Sequence, residues 1–485
     1  MSGAGDGRHG GVPGAAVGGA GGGPARAPGR PAAAAARAPT YAPDRSAPPP
    51  TGPPRGFSFP PFVRRPLGGG PALLAARRPG APLARISLLF PAGGEHDPRA
   101  EAGLAAFTGA LLDEGTRRRA ALEIAARIER LGGHLATGAD WDAGYLSVAL
   151  LAHHAAAGLE LLAELAAEPA FPPEEIERER RQRLAEVLRQ RADPGFVARE
   201  RFARAVYGDH PYGGQLLGAP ESLAGFDRAA VERFYRRHYT AAGAFAVAVG
   251  DLDPEAVAAA LERAFAGGDG APPRPELTPP APAGIRVHLV DRPGAAQTEL
   301  VIGHAGIPRT HPDYLAMTVV TTLLGGKFTS RINLNLRERL GYTYGASCRL
   351  HGRRGPGPLV VSSAVANPVA GAAAREVLAE LARIRDEPVG GDELEETRSY
   401  LIGVFPYTLQ TVDGLAGRLE NLAVYGLPDD HYATYPERLR ALDPETLQAA
   451  ARTHLHPGDL VVVAVGPAAE LAPQFEGLGE LVARE

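Results

Sequence analysis

The sequence reads almost the same way twice. The stretch "ESLAGFDRAAVERFYRRHYTAAGAFAVAVG" ends at Gly250, and "ERLRALDPETLQAAARTHLHPGDLVVVAVG" ends at Gly466. Glu221 and Glu437, Asp227 and Asp443, Val249 and Val465, and the two closing glycines all keep one offset of 216 residues. In each copy an Asp suited to N-capping precedes a helix with apolar residues at helical spacing. A short apolar run closed by Gly follows. "AFAVAVG" and "DLVVVAVG" are too short for globular helices and suit buried strands. Upstream, "ARISLLFPAGG" (84–94) and "QTELVIGHAGI" (297–307) are predicted strands, while "AALEIAARIERLGG" and "GAAAREVLAELARIRDE" are amphipathic helices. A tandem copy of this length predicts two similar α+β units, each with helices packed on a mainly antiparallel sheet.

The Pro/Gly-rich stretch 267–284, "GGDGAPPRPELTPPAPAG", reads as a linker between domains at 70–266 and 285–485. Residues 1–60 are dominated by Gly, Ala, Pro and Arg; such a composition buries too little surface to offset chain entropy, which predicts a disordered tail. The net charge of −4 gives no reason to expect a nucleic-acid partner. Lys327 is the only lysine, so the positive charge is nearly all arginine, a bias of the whole chain more than a binding patch. Cys348 is the only cysteine, which excludes a disulfide framework and a cysteine metal site. No run of 18 apolar residues predicts a membrane span, and no apolar signal core stands near the start, so a cytoplasmic location is expected.

The stretch "EAGLAAFTGALLDEGT" (101–116) reads as one helix, with Leu104, Phe107, Leu111 and Leu112 on a single apolar face and Gly115 placed as a C-cap. Ala106, Gly109 and Ala110 form a second set at i, i+3, i+4. All three are small and inert, and glycine within a helix costs about 1 kcal/mol relative to alanine, so close packing is expected there.

These residues lie in a chain that resembles peptidase family M16, the pitrilysin and mitochondrial processing peptidase group. The resemblance runs from about residue 70 to the C-terminus. It is carried by "FPAGGEHDPRAEAGLAAFTGALLDEGT", "YGDHPYGGQLLGAPESL", "DRPGAAQTELVIG" and, most specifically, "LLGGKFTSRINLNLRERLGYTYGAS". It implies two tandem domains of the M16 (LuxS-like) metalloenzyme fold. Catalytic members read roughly G-L-A-H-F-L-E-H where Leu104, Ala105 and Phe107 align here. Ala106 and Ala110 then replace the two zinc-binding histidines, and Gly109 replaces the glutamate that activates water. The family's third zinc ligand maps to Glu186, a vestigial ligand at most, since one carboxylate does not hold zinc. No two histidines are four apart. His153 and His154 are adjacent and are expected to point apart, and His454 and His456 fall where a turn is the simpler reading. No metal is therefore expected on this chain.

Arg337 and Tyr344 are seven residues apart in "LRERLGYTYGASCRLH", a charged helix running into an alternating strand. By themselves they would be a surface Arg–Glu pair and a packing tyrosine. In M16 relatives an Arg–Tyr pair at this spacing reaches the peptide held at zinc, Arg337 binding a carbonyl or terminus and Tyr344 donating to the oxyanion. Strand alternation puts Tyr342 on the same face, so it is an alternative donor. "GGKFTS" (325–330) is not a phosphate loop, because Phe328 follows Lys327 where Ser or Thr is required.

The resemblance thus implies a non-catalytic, substrate-binding subunit that takes unfolded peptide and lends its Arg–Tyr pair to a partner carrying the full zinc motif. Two other readings stand beside it: a purely structural subunit, and a self-sufficient metallopeptidase with unrecognised ligands.

Overall fold

The structure is a computed structural model that describes residues 52, 56–68, 71–265, 274–278, 281 and 284–484. Most of the 1–60 tail and most of the 267–284 linker lie outside the described residues.

Five strands of each six-stranded sheet share one winding order, and the sixth, at one edge, comes from the start of the first half but from the end of the second. The first sheet contains β1 (Val63–Arg65), β2 (Ala72–Arg77), β3 (Leu83–Phe90), β4 (His134–Ala139), β5 (Gly144–Leu151) and β6 (Phe245–Gly250), in the order β1-β2-β6-β3-β5-β4. The second contains β7 (Arg286–Asp291), β8 (Gln297–Ala305), β9 (Thr343–Leu350), β10 (Pro358–Ala366), β11 (Val461–Gly466) and β12 (Glu480–Arg484), in the order β12-β7-β11-β8-β10-β9. β2 runs parallel to β6, with Ala72 opposite Phe245, just as β7 runs parallel to β11, with Arg286 opposite Val461. The remaining inner pairs are antiparallel. The repeated aspartates cap as their position predicts: Asp227 accepts from the N–H of Ala230, and Asp443 from that of Thr446.

The apolar runs of β6 and β11 have no polar alternation because both faces of each sheet are covered. On one face of the first sheet Leu73, Ile86, Leu88, Ala246 and Ala248 meet Leu104, Phe107, Leu162 and Phe234 of their own half. On the other face Leu74, Ala76, Leu89, Val247 and Val249 meet Leu415, Leu419 and Leu422, which belong to the helix Val412–Tyr425 of the second half. The exchange is reciprocal. Val301, Val360, Val461, Val463 and Val465 of the second sheet are covered by Ala198, Phe202 and Val206 from the first-half helix Pro194–Tyr207. Each half therefore lends a helix to the other's sheet, where the sequence predicts helices packed within each half.

The "YGDHPYGG" stretch fastens this exchange. The Tyr212 hydroxyl donates to Asp142 at 2.9 Å and accepts from the N–H of Gly355 at 3.1 Å, while Tyr207 donates to the Pro356 carbonyl at 2.6 Å. Tyr425 donates to the other oxygen of Asp142 at 3.0 Å. Phe57 and Phe59, inside the stretch that composition reads as a disordered tail, stack on Phe405 and Tyr432 with ring centroids 5.2 and 5.5 Å apart. Two aromatic anchors suffice to hold these residues, and the Gly/Ala/Pro average around them conceals the pair.

Candidate functional site

The stretch 101–116 is less helical than its pattern predicts. The α-helix covers only Leu104–Ala110 and starts behind Gly103, whose φ of 95° is open to glycine but strained for other residues. The Asp97 carboxylate caps this start by accepting the N–H groups of Gly103 and Ala105, both at 2.8 Å. Gly115, read as a C-cap, lies beyond the helix in a separate turn at φ 125°. Phe107 packs on Phe226, with centroids 5.3 Å apart.

Gly109 lies directly on β4. A Cβ placed there would stand 2.5 Å from the backbone carbon of Gly138, closer than non-bonded atoms approach. The helix is thus pressed against an edge strand at this position. Ala106 is buried and offers only a methyl group, as does Ala110. The nearby Thr108 hydroxyl is buried without a hydrogen-bond partner among the described residues. Zinc takes nitrogen, sulfur or carboxylate donors, three or four at a time. Ala106, Gly109 and Ala110 supply none, so the residues present do not fit the metal that the family resemblance implies.

Glu186 sits on the helix Pro173–Arg191 and accepts from Arg189 at 2.6 Å and from Gln190 at 2.6 Å. Those hydrogen bonds hold its carboxyl below the ordinary carboxylate range. His153 and His154, expected to point apart, share a 3₁₀ turn with their rings 4.0 Å apart. One group of possible ligands does converge among the described residues: His311, Asp313 and His454, whose ligand atoms lie within 4.8 Å of one another. Its members already satisfy each other. His454 Nε2 is 2.7 Å from the Asp313 carboxylate, and His311 Nδ1 accepts the Asp313 N–H at 3.1 Å. His454 ends the helix Pro444–His454, so the trio clasps that end to the start of the helix Tyr314–Thr321.

The second half presents a different surface. Arg337 lies in a π-helical turn, Leu334–Arg339, where the sequence predicts a regular charged helix. Its guanidinium sits 3.3 Å over the ring of Phe328 and donates to Glu338 at 2.9 Å. Phe328 is itself exposed, whereas the Arg337 side chain is only 15% exposed and is held largely covered by its partners. After the turn at Gly341 (φ 67°), β9 begins, and Tyr344 is 92% exposed on it. Tyr342 differs from its expected placement. It precedes the strand, donates its N–H to the Leu336 carbonyl at 2.8 Å and packs against the second core, away from the open face that Tyr344 occupies. Arg337 and Tyr344 share this segment without touching: no hydrogen bond or ring contact joins them among the described residues.

β9 is an outermost strand, yet part of its outer edge is closed. The Asn333 side chain accepts the N–H of Ala346 and donates to its carbonyl, both at 2.8 Å. The sequence carries no signal for this contact, because Asn333 and Ala346 belong to different elements. Lys327 forms a 2.9 Å ion pair with Glu396, so the "GGKFTS" lysine is structural.

Two family models cover most of the chain. One described as Insulinase (Peptidase family M16) matches residues 73–220, and one described as Peptidase M16 inactive domain matches residues 225–401. An uncharacterized zinc protease of Streptomyces coelicolor is 28% identical over 291 residues, a match that spans 58% of this chain and 62% of that protein's length. The crystal structure of a peptidase M16 inactive domain from Pseudomonas fluorescens, 26% identical, superposes with a TM-score of 0.78 over 84% of this chain and 98% of its own. A protease from Helicobacter pylori, 18% identical, reaches a TM-score of 0.79 over 84% of this chain and 100% of its own, a likeness of fold.

Proposed function

The chain belongs to peptidase family M16, and on that premise we propose that it is the non-catalytic, substrate-binding subunit of a two-chain zinc peptidase. A partner subunit with the full zinc motif breaks the peptide bond. This chain supplies Arg337 to a carbonyl or terminus of the peptide and the Tyr344 hydroxyl to the oxyanion that forms on attack. The observation that carries the reading is a contrast: Ala106, Gly109 and Ala110 have no donor atoms, while in the second half Tyr344 stands exposed and Arg337 is oriented by Phe328.

The chemistry suits the two side chains. A guanidinium is always charged and offers five donors in a fixed fork. A phenol aimed at developing negative charge contributes about 3 kcal/mol of transition-state stabilisation in comparable sites. Because Asn333 closes the β9 edge at Ala346, the peptide is held here by side chains and not by strand addition at that residue. A single buried, unpaired cysteine accords with a reducing compartment such as the cytoplasm. Among the described residues no helix is long and apolar enough to cross a membrane.

The test is reconstitution. Adding this protein to the zinc-bearing partner should raise hydrolysis of an unfolded peptide sharply. Arg337→Ala should remove most of that gain, and Tyr344→Phe should lower kcat by about 10²-fold with little change in KM. A rate unchanged on mixing sinks the proposal. Full stimulation by both variants would instead favour a structural subunit.

A further inference from the structure

The second half holds a cleft of about 670 Å³ that includes neither Arg337 nor Tyr344. It is walled by the helix Tyr314–Thr321, the 3₁₀ turn Phe405–Leu409, the helix Val412–Tyr425 and the segment 427–438. Three arginines line it: Arg309, Arg418 and Arg438. Among the described residues none of the three forms an ion pair, whereas Arg331 is matched by Glu393 and Arg85 by Glu420. In so arginine-rich a chain an unpaired guanidinium is ordinary; three converging on one concavity are not.

His431 lies between two of them. Arg309 Nη2 is 3.0 Å from its Nε2, and Arg438 Nη1 is 3.2 Å from its Nδ1. A guanidinium can only donate, and a neutral imidazole accepts at one nitrogen and bears hydrogen on the other. One of the two contacts is therefore donor against donor. Protonating the ring would make both so, and burial together with Arg309 and Arg438 pushes its pKa down to about 4. Arg418 donates to the Thr408 hydroxyl at 3.3 Å and Arg438 to the His431 carbonyl at 3.5 Å, but the cluster keeps positive charge in excess and has no counter-charge among the described residues. The nearest carboxylates do not supply one: Asp430 is exposed at the rim, and Asp313 is engaged with His454.

The remaining walls are aromatic. Arg309 lies 4.5 Å over the Tyr314 ring, and Arg418 lies 5.5 Å from Phe405 and 5.7 Å from Tyr432. A cleft of this size exceeds a bare inorganic anion and matches small-molecule sites. Three guanidiniums call for a dianion, and their forked donors fit phosphate oxygens.

We propose that this cleft binds a small phosphate monoester with a planar ring, its phosphate held by Arg309, Arg418 and Arg438 and its ring against Tyr314. The site is independent of the peptide-facing pair, so it stands or falls without the function proposed above.

Isothermal titration of the full chain with phenyl phosphate, inorganic phosphate and benzoate tests it. Phenyl phosphate should bind at least tenfold more tightly than either comparator. Arg438→Gln and Arg309→Gln should each weaken it tenfold or more. A second measurement needs no variant: in the histidine-labelled wild-type protein, phenyl phosphate should shift the His431 ring resonances while leaving those of His134 in place. Benzoate binding as tightly as phenyl phosphate would identify a carboxylate site and overturn the proposal. So would no detectable binding of phenyl phosphate, undiminished affinity in folded variants, or an unmoved His431.

Discussion

At the scale of single residues, Gly109 explains more than the two alanines, Ala106 and Ala110, that it stands between. The offset of 216 that relates the two halves carries Gly109 onto Gly325, where an added Cβ would lie 2.3 Å from the backbone nitrogen of Cys348 on β9. Both halves thus press a glycine against the outermost strand of their own sheet. Gly109→Ala should therefore destabilise the protein by about 1–3 kcal/mol in urea unfolding, the usual cost of overpacking, although alanine is the better helix former. The triple change Ala106→His, Gly109→Glu, Ala110→His should take up no stoichiometric zinc by metal analysis, because any side chain at 109 meets the β4 backbone and must push away the short helix that would carry both histidines. His304 gives a second residue-scale prediction. Its Nδ1–H donates to the Ala305 carbonyl at 2.8 Å, its Nε2 faces the N–H of His456, and burial pushes its pKa down to about 4. The folded state then refuses a proton that the unfolded chain accepts below pH 6.5. The stability His304 contributes is present above that pH and is lost as pH falls toward 4. Relative to a non-titrating His304→Gln variant, the wild type should lose roughly 3 kcal/mol between pH 7 and pH 4, read from paired urea curves.

At the scale of elements, the segment from Phe328 to Tyr344 departs furthest from its periodicity. A charged helix is legible there; the π-helical turn that delivers Arg337 onto Phe328 is not, because it depends on how Leu324 and Leu336 seat in the second core. Strand alternation likewise treats Tyr342 and Tyr344 as equals, but the turn at Gly341 brings Tyr342 in before the ladder starts and packs it inward. Asn333 is the element's hidden constraint, since it occupies both backbone groups of Ala346 and also donates to Ser330 at 3.0 Å. Asn333→Ala leaves those groups unpaired and should cost about 1–3 kcal/mol. Phe328→Ala should leave the protein's melting unchanged while weakening its stimulation of a catalytic partner several-fold, because Arg337 loses the ring that orients it.

At the scale of the whole molecule, the exchanged helices decide how the chain holds together. Without the helix Val412–Tyr425, the outer face of the first sheet would present Leu74, Leu89, Val247 and Val249 to water, a contiguous patch of a kind that isolated soluble proteins rarely expose. The two halves should therefore unfold in a single calorimetric transition with matching calorimetric and van't Hoff enthalpies. Two resolved transitions would show that each half is stable by itself. Asp142 is the polar counterpart of this exchange: it accepts from Tyr212, Tyr425 and the Arg354 N–H, groups drawn from both halves. Asp142→Ala should cost at least about 3 kcal/mol, since three buried donors lose one shared acceptor.

The sequence alone determined that the chain is a tandem copy, that its central strands are buried, and that residues 106–110 carry no metal donors. Each of these is a statement about local composition and period, which a linear chain records directly. Only the tertiary structure decided that the covering helices are traded between halves, that Gly109 is held by β4, and that Tyr344 faces solvent while Tyr342 does not. It alone brought Arg309 and Arg438, from segments more than a hundred residues apart, onto His431, with Arg418 lining the same cleft. Such placements follow from which apolar faces meet in the folded molecule, and that pairing has no signature in the spacing of residues along the chain.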